Sequence, residues 1–595
     1  MKRFLFVFFV LMGLITLGYQ IEMTHDQNDR TYFNPVKPGE IYFAVSLEKR
    51  GETNPEEMIL FTTQQEFELS YLRETDEEVF YRAKITVCGF EEYYFKAKVK
   101  EEVFYLDEKG VNTAGVIEPF QFDEENPPVD YFDTPEWSKG RIYYQIFPER
   151  FANGNKDNDP PQNQDWYLDP GKADYGSDGF FGGDLKGVID KLDYLSELGV
   201  ETLYFNPIFE SISSHKYDTT DYMKIDDDFG TEETFEKLVE VFSEEGINIV
   251  LDGVFNHTGT EFFAFKDVKK KGEDSEYTDW YFIKGFPVRS YGGIAMNYTG
   301  WAGYAHMPKL NVNNEEVREY LEGVVKKWGN KGIAGWRLDV ANEVPSKFWS
   351  DFFRPLVKEI DSSDILVGEY WGYARNFLMG NSFDSVMNYL FRDAVIEYVA
   401  RAGNSSRKFK SMTGYYLNTY PPQVLDSLWN LLGSHDTERI LTALYRNTKL
   451  AKIAVTLQFT FKGSPVIYYG DEIGMEGYSD PDNRKPMYWK EDMWNKELLE
   501  HYKFLIDLRK EHPALRTGEH NVLYAEDSLF VFERILNNDH IIVLTNPGDT
   551  SLEWTPEKDY GEYTDLIEQD NITIEQGTIV EILPGSFMII CKSEN

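Results

Sequence analysis

The sequence predicts an α/β fold in which eight parallel strands close into a (β/α)8 TIM barrel. From Arg141 onward, apolar runs of strand length alternate with stretches of helical periodicity, and such alternation indicates parallel strands joined by crossover helices. An open doubly wound sheet is the alternative, but it would not explain the polar strand ends described below, and we find no Gly-rich phosphate loop. The strand-like runs cover residues 141–149, 200–208, 247–256, 332–340, 364–370, 385–391, 428–434 and 464–470.

Two of the connecting segments have clear helical patterns. Apolar residues in 185–199 and in 231–245 recur at spacings of three and four, which places them on one face of a helix. Gly199 closes the first pattern and Gly246 follows the second, and glycine is a typical residue at a helix C-terminus. The apolar positions are Leu185, Val188, Ile189, Leu192 and Leu195 in the first segment, and Phe235, Leu238, Val239 and Phe242 in the second.

Four of the strand-like runs end in acids, imidazoles or amides. The C-terminal ends of parallel barrel strands open on one face, where the active sites of such barrels lie. We therefore expect these polar side chains to converge on that face. They are Asp252, Asn256 and His257 in and after the third run, Arg337 and Asp339 in the fourth, Glu369 at the end of the fifth, and His435 and Asp436 after the seventh.

Arg337 and Asp339 are two residues apart on a predicted strand, so their side chains share a face. A guanidinium beside a carboxylate favours the ionised form, and we expect it to lower the pKa of Asp339. A carboxylate nucleophile must be ionised in this way. Most pairs of this spacing are structural ion pairs, but the other polar strand ends favour a catalytic role here.

Several motifs follow one another along the chain in an order that resembles the α-amylase family of glycoside hydrolases. Within that family the chain is most similar to the group of neopullulanases, cyclomaltodextrinases and maltogenic amylases. The likeness covers residues 30–595 and is strongest in 140–490. The motifs are residues 252–257, 335–339, Glu369 and 435–436 for the family, and residues 146–154, 215–218, 307–311 and 340–343 for the group.

The resemblance implies a retaining, endo-acting hydrolase of α-1,4-glucosidic bonds, with some tolerance of α-1,6 bonds, in starch, pullulan, cyclodextrins or maltooligosaccharides. It implies Asp339 as the nucleophile, Glu369 as the general acid/base and Asp436 as the stabiliser of the transition state. The apolar residues before Glu369, with Tyr370 and Trp371 after it, favour a protonated acid. The implied substrate-binding residues are Tyr217, His257, Arg337, Trp371, His435, Asp480 and Arg484.

Two other functions share this family resemblance. A 4-α-glucanotransferase uses the same covalent intermediate but passes it to a sugar, and the sequence separates the two activities poorly. A non-catalytic glucan-binding relative would lack one or more of the three carboxylates, all of which are present at Asp339, Glu369 and Asp436.

In the loop with Asp480 and Arg484, the group often has Cys where this chain has Asn483.

A stretch rich in Asn and Asp precedes a Gly-Gly-Asp sequence. Side-chain oxygens and a glycine carbonyl suit Ca²⁺, although such a stretch is most often a solvated turn. The resemblance implies a structural calcium site, and Asn155 departs from the acidic residue common there. The implied ligands are Asn153, Asn155, Asn158, Asp159, Gly182 and Asp184.

Composition and cysteine usage limit the partners. A formal net charge of −42 argues against nucleic acid, because phosphate binding needs a basic surface. The family resemblance implies an α-glucan polysaccharide or oligosaccharide as the substrate, and the protein is expected to be a monomer or a homodimer. Two cysteines, Cys88 and Cys591, cannot form a disulfide framework and are predicted to be free buried thiols.

The start of the chain resembles an export signal. Lys2 and Arg3 precede an apolar run from Phe4 to Gly18, which is short for a membrane span and typical of a secretory signal peptide. We expect residues 1–18 to be removed and the protein to be secreted or periplasmic, with no stable membrane anchor. An uncleaved signal that anchors the protein to the membrane is the alternative.

The remaining pattern predicts further domains around the barrel. Residues 25–125 alternate between apolar and polar with period two, which indicates an N-terminal β-sandwich resembling starch-binding domains. The catalytic barrel is predicted at 138–510, with a small domain inserted after the third strand at about 258–310. Apolar strand-like runs predict a C-terminal antiparallel β-domain at 515–595.

Overall fold

A computed structural model describes residues 21–48, 55–74, 77–86, 89–401 and 405–592. The chain divides into two compact units, one up to Phe132 and one from Asp133 onward. Residues 1–20 and Cys88, on which the predictions of a signal and of a second thiol depended, lie outside the described residues. Within the described part of the chain, no helix is both long and apolar enough to cross a membrane.

The first unit consists of two antiparallel sheets. Alternate residues of its strands, such as Phe43 and Val45 in one sheet and Phe95 and Ala97 in the other, are buried in a shared apolar core. One sheet contains Met23–Thr24, Phe33–Lys37, Glu40–Glu48, Ser70–Glu74 and Glu78–Thr86. The other contains Glu57–Thr62, Glu66–Glu68, Phe90–Val99, Glu102–Asp107, Gly110–Asn112 and Phe120–Asp123.

The second unit contains the predicted parallel barrel, and the fold class is confirmed. Each predicted run contains one strand, and the eight strands pair in the spatial order β6-β5-β4-β3-β2-β1-β8-β7. A parallel bridge between Met387 and Trp429 joins the two ends of this sheet. The strands are β1 Tyr143–Ile146, β2 Thr202–Phe205, β3 Asn248–Gly253, β4 Gly335–Leu338, β5 Ile365–Gly368, β6 Ser385–Val386, β7 Trp429–Leu431 and β8 Ser464–Tyr468.

Helices connect the barrel strands. The helix predicted at 231–245 is Glu232–Glu244, begun by a capping box at Thr231, and it buries Phe235, Leu238 and Phe242. The helix predicted at 185–199 is instead two helices, Leu185–Ile189 and Leu192–Leu198, which separate at Asp190 and Lys191. The other α-helices of four or more residues described in this unit are Pro148–Phe151, Phe263–Lys271, Glu315–Gly329, Arg354–Ile360, Tyr389–Ala400, Ser405–Leu417, Ile440–Ala443, Thr448–Thr460, Lys496–Glu511 and Pro513–Thr517.

Further strands surround the barrel. A long segment between β3 and β4 carries the hairpin Ser290–Tyr291 and Ile294–Ala295 and pairs back onto the barrel between His257 and Lys309. A hairpin of Phe209–Ser211 and Thr219–Ile225 follows β2. The C-terminal part forms a six-stranded antiparallel sheet and a two-stranded one, from Glu519–Glu526, Leu529–Leu536, Asp539–Asn546, Leu552–Trp554, Gly561–Asp565, Asn571–Ile574, Val580–Ile582 and Ser586–Lys592.

Candidate active site

The polar strand ends converge as the sequence predicts. Asp252 is the second-to-last residue of strand β3, Asp339 and Glu369 directly follow β4 and β5, and all three are buried. Arg337, in β4, is fully buried and contacts each of these carboxylates. Because parallel strands of a barrel end on the same face, residues far apart in sequence meet around one guanidinium.

Arg337 is the centre of this cluster. Its Nη1 donates to both carboxylate oxygens of Asp252 at 2.8 and 2.9 Å and to Oδ1 of Asp339 at 2.9 Å. Its Nη2 is 3.0 Å from Oε2 of Glu369. Asp339 and Glu369 therefore lie on neighbouring nitrogens of the same planar group, with their carboxylates close together.

The electrostatics of the cluster differ from the expectation for Asp339. Burial raises the pKa of Asp339 well above its usual value; Arg337 opposes this shift and Glu369 adds to it. Burial also raises the pKa of Asp252 against the opposing effect of Arg337. Arg337 does lower the pKa of Asp339, as predicted, but the net shift is upward because one guanidinium does not offset burial beside several carboxylates.

Two hydrogen-bond donors other than Arg337 also contact the Glu369 carboxylate. The backbone N–H of Val340 donates to its Oε2 at 2.8 Å, and Trp371 Nε1 donates to its Oε1 at 3.0 Å. Val340 has φ 39°, a left-handed conformation that is unusual for a β-branched residue and typical of functional sites. The setting of Glu369 is thus more polar than the flanking sequence suggests, and its carboxyl group is fixed in orientation.

Trp371, which bonds Glu369, also lies partly at the protein surface. Its ring stacks on that of Tyr389, with ring centroids 3.9 Å apart and an angle of 10° between planes. About half of the Trp371 side chain, 50%, remains exposed. One face of the indole is therefore supported by the protein while the residue still presents apolar surface to the site.

A buried hydrogen-bond network links Asp252, in the carboxylate cluster, to His435 through Tyr217. The Tyr217 hydroxyl donates to Oδ2 of Asp252 at 2.9 Å and lies 2.7 Å from Nε2 of His435. Since this hydroxyl has only one proton, His435 donates to it through Nε2. Burial lowers the pKa of His435 well below its usual value, so the imidazole is neutral.

Three members of this network are absent from the sequence prediction. Gln145 Nε2 contacts His435 Nδ1 at 2.8 Å and Asn206 Oδ1 at 2.9 Å. Asn206 Nδ2 in turn donates to the Tyr217 hydroxyl, and the Tyr204 hydroxyl donates to Asp252. All three lie at the C-terminal ends of β1 and β2, so the signal used for the other four strands could have identified them.

His257 faces the site from the loop after β3. It is buried, burial lowers its pKa to about 3, and its Nε2 has no hydrogen-bond partner among the described residues. Its ring stacks on Trp301 of the inserted segment, with centroids 5.7 Å apart. A neutral imidazole with one unpaired nitrogen is suited to bond a ligand hydroxyl.

Asp436, Asp480 and Arg484 form the outer edge of the site. Arg484 pairs with Asp480 at 3.0 Å and lies 3.4 Å from Asp436. Asp436 also lies 3.1 Å from Nε2 of His435. Unlike the other two acidic residues proposed for catalysis, Asp436 is partly exposed, so its carboxylate can reach a bound ligand.

The residues of the implied calcium site also come together, and they form a group separate from the carboxylate cluster around Arg337. Asn153 Nδ2 donates to Asp159 at 2.7 Å, and a Cβ at Gly182 would meet the side chains of both. Asp184 accepts the backbone N–H groups of Gly154 and Asn155. Three side-chain oxygens here are buried and unpaired among the described residues, those of Asn153, Asn158 and Asn163. Asn163 was not identified from the sequence.

Comparisons with known proteins give close relatives. Neopullulanase 2 of Thermoactinomyces vulgaris is 48% identical over 468 residues, which cover 78% of this chain and 79% of that protein. The structure of a cyclomaltodextrinase superposes with a TM-score of 0.86 at 35% sequence identity, covering 96% of this chain and 99% of that one.

The prediction of export is contradicted by another relative. A protein of Bacillus subtilis named intracellular maltogenic amylase is 41% identical over 460 residues, 76% of each chain. The expectation of a secreted or periplasmic protein depended on the composition of residues 1–18 alone, and a short apolar run with two basic residues is weak evidence beside a relative of this similarity.

A sequence profile of the family described as "Alpha amylase, catalytic domain" matches residues 145–518, more than half of the chain. The matched region contains every barrel strand from β2 to β8 and the whole carboxylate cluster around Arg337. This chain belongs to the α-amylase family.

Proposed function

We propose that the protein hydrolyses α-1,4-glucosidic bonds in starch, pullulan, cyclodextrins or maltooligosaccharides with retention of configuration. The observation that carries the proposal is the position of Asp339 and Glu369 on neighbouring nitrogens of Arg337. Carboxylates this close favour the separation of about 5–5.5 Å typical of retaining enzymes over the wider one of inverting enzymes. The relatives named neopullulanase and cyclomaltodextrinase support the substrate class.

In the proposed first step, Asp339 in its ionised form, which Arg337 favours, attacks the anomeric carbon and forms a glycosyl ester. Glu369 donates its proton to the glycosidic oxygen, so the bond to the leaving sugar breaks without forming an alkoxide. In the second step Glu369 takes a proton from water, the water oxygen bonds to the anomeric carbon, and Asp339 leaves as a carboxylate. Two inversions give net retention.

The remaining residues are assigned by what they can contact. Asp436 and the neutral His435 and His257 would bond sugar hydroxyls, contacts that strengthen as the ring flattens in the transition state. Trp371 offers an apolar face on the side of the leaving group. Asp480 and Arg484 would hold a sugar further along the glucan. Tyr217 contributes a ring next to His435, and the two rings are nearly parallel, at 6°.

Transfer to a sugar instead of water would use the same two steps. Several relatives carry the names of hydrolases, among them a maltogenic α-amylase 42% identical over 469 residues. These names favour water as the acceptor. The hydrolase is therefore the function we propose, without a second candidate.

The test is the variant Asp339→Asn. An amide cannot form the glycosyl ester, so we expect kcat on maltotriose to fall by several orders of magnitude with the fold intact. Asp384→Asn is the matched control, because Asp384 is equally buried and paired with Arg354 and Lys358 but precedes β6 at the opposite end of the barrel. It should lower stability and leave kcat unchanged.

Product stereochemistry tests the mechanism independently of any variant. NMR of fresh product should show the α-anomer first. Initial release of the β-anomer, or more than a few per cent of activity in Asp339→Asn, would contradict the proposed roles.

We further propose that Ca²⁺ binds beside the loop 153–159. Carbonyl and carboxylate oxygens are the ligands Ca²⁺ prefers, and the unpaired buried oxygens of Asn153 and Asn158 need a partner. Asp159, Asp184 and the carbonyl of Gly182 would complete the set, with Asn163 as an additional ligand. Asn155 is exposed and its side chain accepts the N–H of Asp157, so we expect it to contribute least. The ion would tie the loop after β1 to the start of helix Leu185–Ile189.

A further inference from the structure

Asn483, in the turn after β8, makes an unusual set of contacts with the loop after β7. Its side chain is fully buried, and its Nδ2 lies 2.8 Å from the carbonyl of His435, 2.9 Å from that of Thr437 and 3.2 Å from that of Ser434. These three carbonyls surround Asp436 in the chain. One amide group therefore bonds the backbone on both sides of the residue assigned to transition-state stabilisation.

Asn483 is itself fixed from the side of β8. Its carbonyl accepts from Arg439 Nε at 3.0 Å and from the Tyr468 hydroxyl at 3.3 Å. Arg439 is buried and also bonds the carbonyl of Tyr469 and the carboxylate of Asp471. The residue whose amide bonds the loop after β7 is thus itself anchored at the end of the neighbouring strand, β8.

The side chain of Asp436, in contrast, is held loosely. Its carboxylate contacts are His435 at 3.1 Å and Arg484 at 3.4 Å, both long for charge-assisted hydrogen bonds. The backbone N–H of Asp436 donates a hydrogen bond to Ser434 Oγ that is also long, at 3.2 Å. The position of this carboxylate consequently depends on the backbone of residues 434–437.

We propose that Asn483 is a positioning residue, which sets the place of Asp436 by holding the backbone of the loop after β7. The Asn483 amide offers two N–H donors to this cluster of carbonyls, whereas a cysteine thiol at this position would offer one weak donor. The inference rests on the proposed role of Asp436. Because reacting groups must be placed to within a fraction of an ångström, a displaced loop should slow the chemical step more than it weakens substrate binding.

The first test is Asn483→Asp, which preserves size and shape but removes both donors. Active sites are counted with a fluorinated glycosyl fluoride that traps the glycosyl ester, so that misfolded protein does not enter the rate. We expect kcat per titrated site on maltotriose to fall about tenfold or more, with KM changed less than about twofold. Unchanged kcat per site would overturn the proposal.

Asn546 provides a matched control. It is fully buried in the C-terminal sheet, and its Nδ2 also contacts three backbone carbonyls, those of Thr550, Ile582 and Leu583. Asn546→Asp should lower the melting temperature comparably and leave kcat per site unchanged. An equal loss of kcat in both variants would show that general destabilisation, and not the position of Asp436, explains the effect.

A double-mutant cycle with Asp436→Asn separates this inference from the proposed function. If Asn483 acts through Asp436, the loss caused by Asn483→Asp should largely disappear in the Asp436→Asn background. Full additivity would contradict the inference alone, whereas normal activity of the single variant Asp436→Asn would contradict the proposed function. Should Asn483→Asp fail to fold by circular dichroism, Asn483→Cys replaces it in the same cycle, with a smaller loss expected.

Discussion

Tyr217→Phe isolates the contribution of one hydroxyl to the site. The substitution keeps the ring and its stacking on His435 but removes the group that joins Asp252, His435 and Asn206. Tyr217 is buried, so water does not readily replace the hydroxyl. The variant leaves the buried N–H groups of His435 and Asn206 without this acceptor.

The magnitude follows from the bonds that are lost. A hydrogen bond to a buried carboxylate contributes about 1.5–3 kcal/mol, and Asp252 retains Tyr204 and two bonds from Arg337, which favours the lower end of that range. The loss of the hydroxyl as an acceptor for Asn206 and His435 adds to this, although Nε2 of His435 still lies 3.1 Å from Asp436. We expect the free energy of unfolding to fall by about 3 kcal/mol. If half of that loss appears in the transition state, kcat falls about tenfold.

The assays are urea unfolding and initial rates on maltotriose. Tyr204→Phe is the control, because the Tyr204 hydroxyl donates to the same oxygen of Asp252 at 2.8 Å. Within the described part of the chain, Tyr204 makes no hydrogen bond with His435. It should cost about 2 kcal/mol in stability and change kcat less than threefold. If the two variants lowered kcat equally, or if Tyr217→Phe left it unchanged, the reasoning that His435 is held through Tyr217 would be refuted.

Two predictions concern stability. Ca²⁺ should raise the melting temperature of the wild type by mass action on the folded state, and Asp184→Asn should abolish that response; a wild-type melting curve indifferent to Ca²⁺ and to chelator would contradict the site. Hydrogen bonding to Asp539 at 2.9 Å raises the pKa of His512 to about 10 in the folded protein. The pair therefore contributes its full stability below about pH 6.5, the pKa of histidine in the unfolded chain, and this contribution is lost as the pH rises through the folded-state pKa. For this partly exposed pair, His512→Asn should cost about 1 kcal/mol in urea unfolding at pH 6 and nothing at pH 10.5; an equal cost at both values would contradict the ion pair.

The barrel could be predicted because its signals are local. Each strand is a short apolar run, and each of the eight predicted runs contains one. The helix at 185–199 was predicted less well because Asp190 and Lys191 interrupt a continuous apolar pattern without changing its period. The boundaries of the domains and the roles of the site residues remain predictions.

The sequence by itself determined which residues reach the active face. Asp252, Arg337, Asp339, Glu369 and Asp436 lie at or after strand ends, and parallel strands bring their C-terminal ends to one face whatever the details of packing. The family motifs gave the same positions independently.

Only the tertiary structure decided the electrostatics and the supporting contacts. The pKa of Asp339 depends on how completely it is buried and how many carboxylates surround Arg337, and neither quantity is visible in a spacing of two residues. Likewise, Asn483 meets the loop of Asp436 across two neighbouring strands, 46 to 49 residues away along the chain. Hydrogen bonds of this kind depend on distances of a few tenths of an ångström between distant segments, and these are set by the packing of the whole barrel.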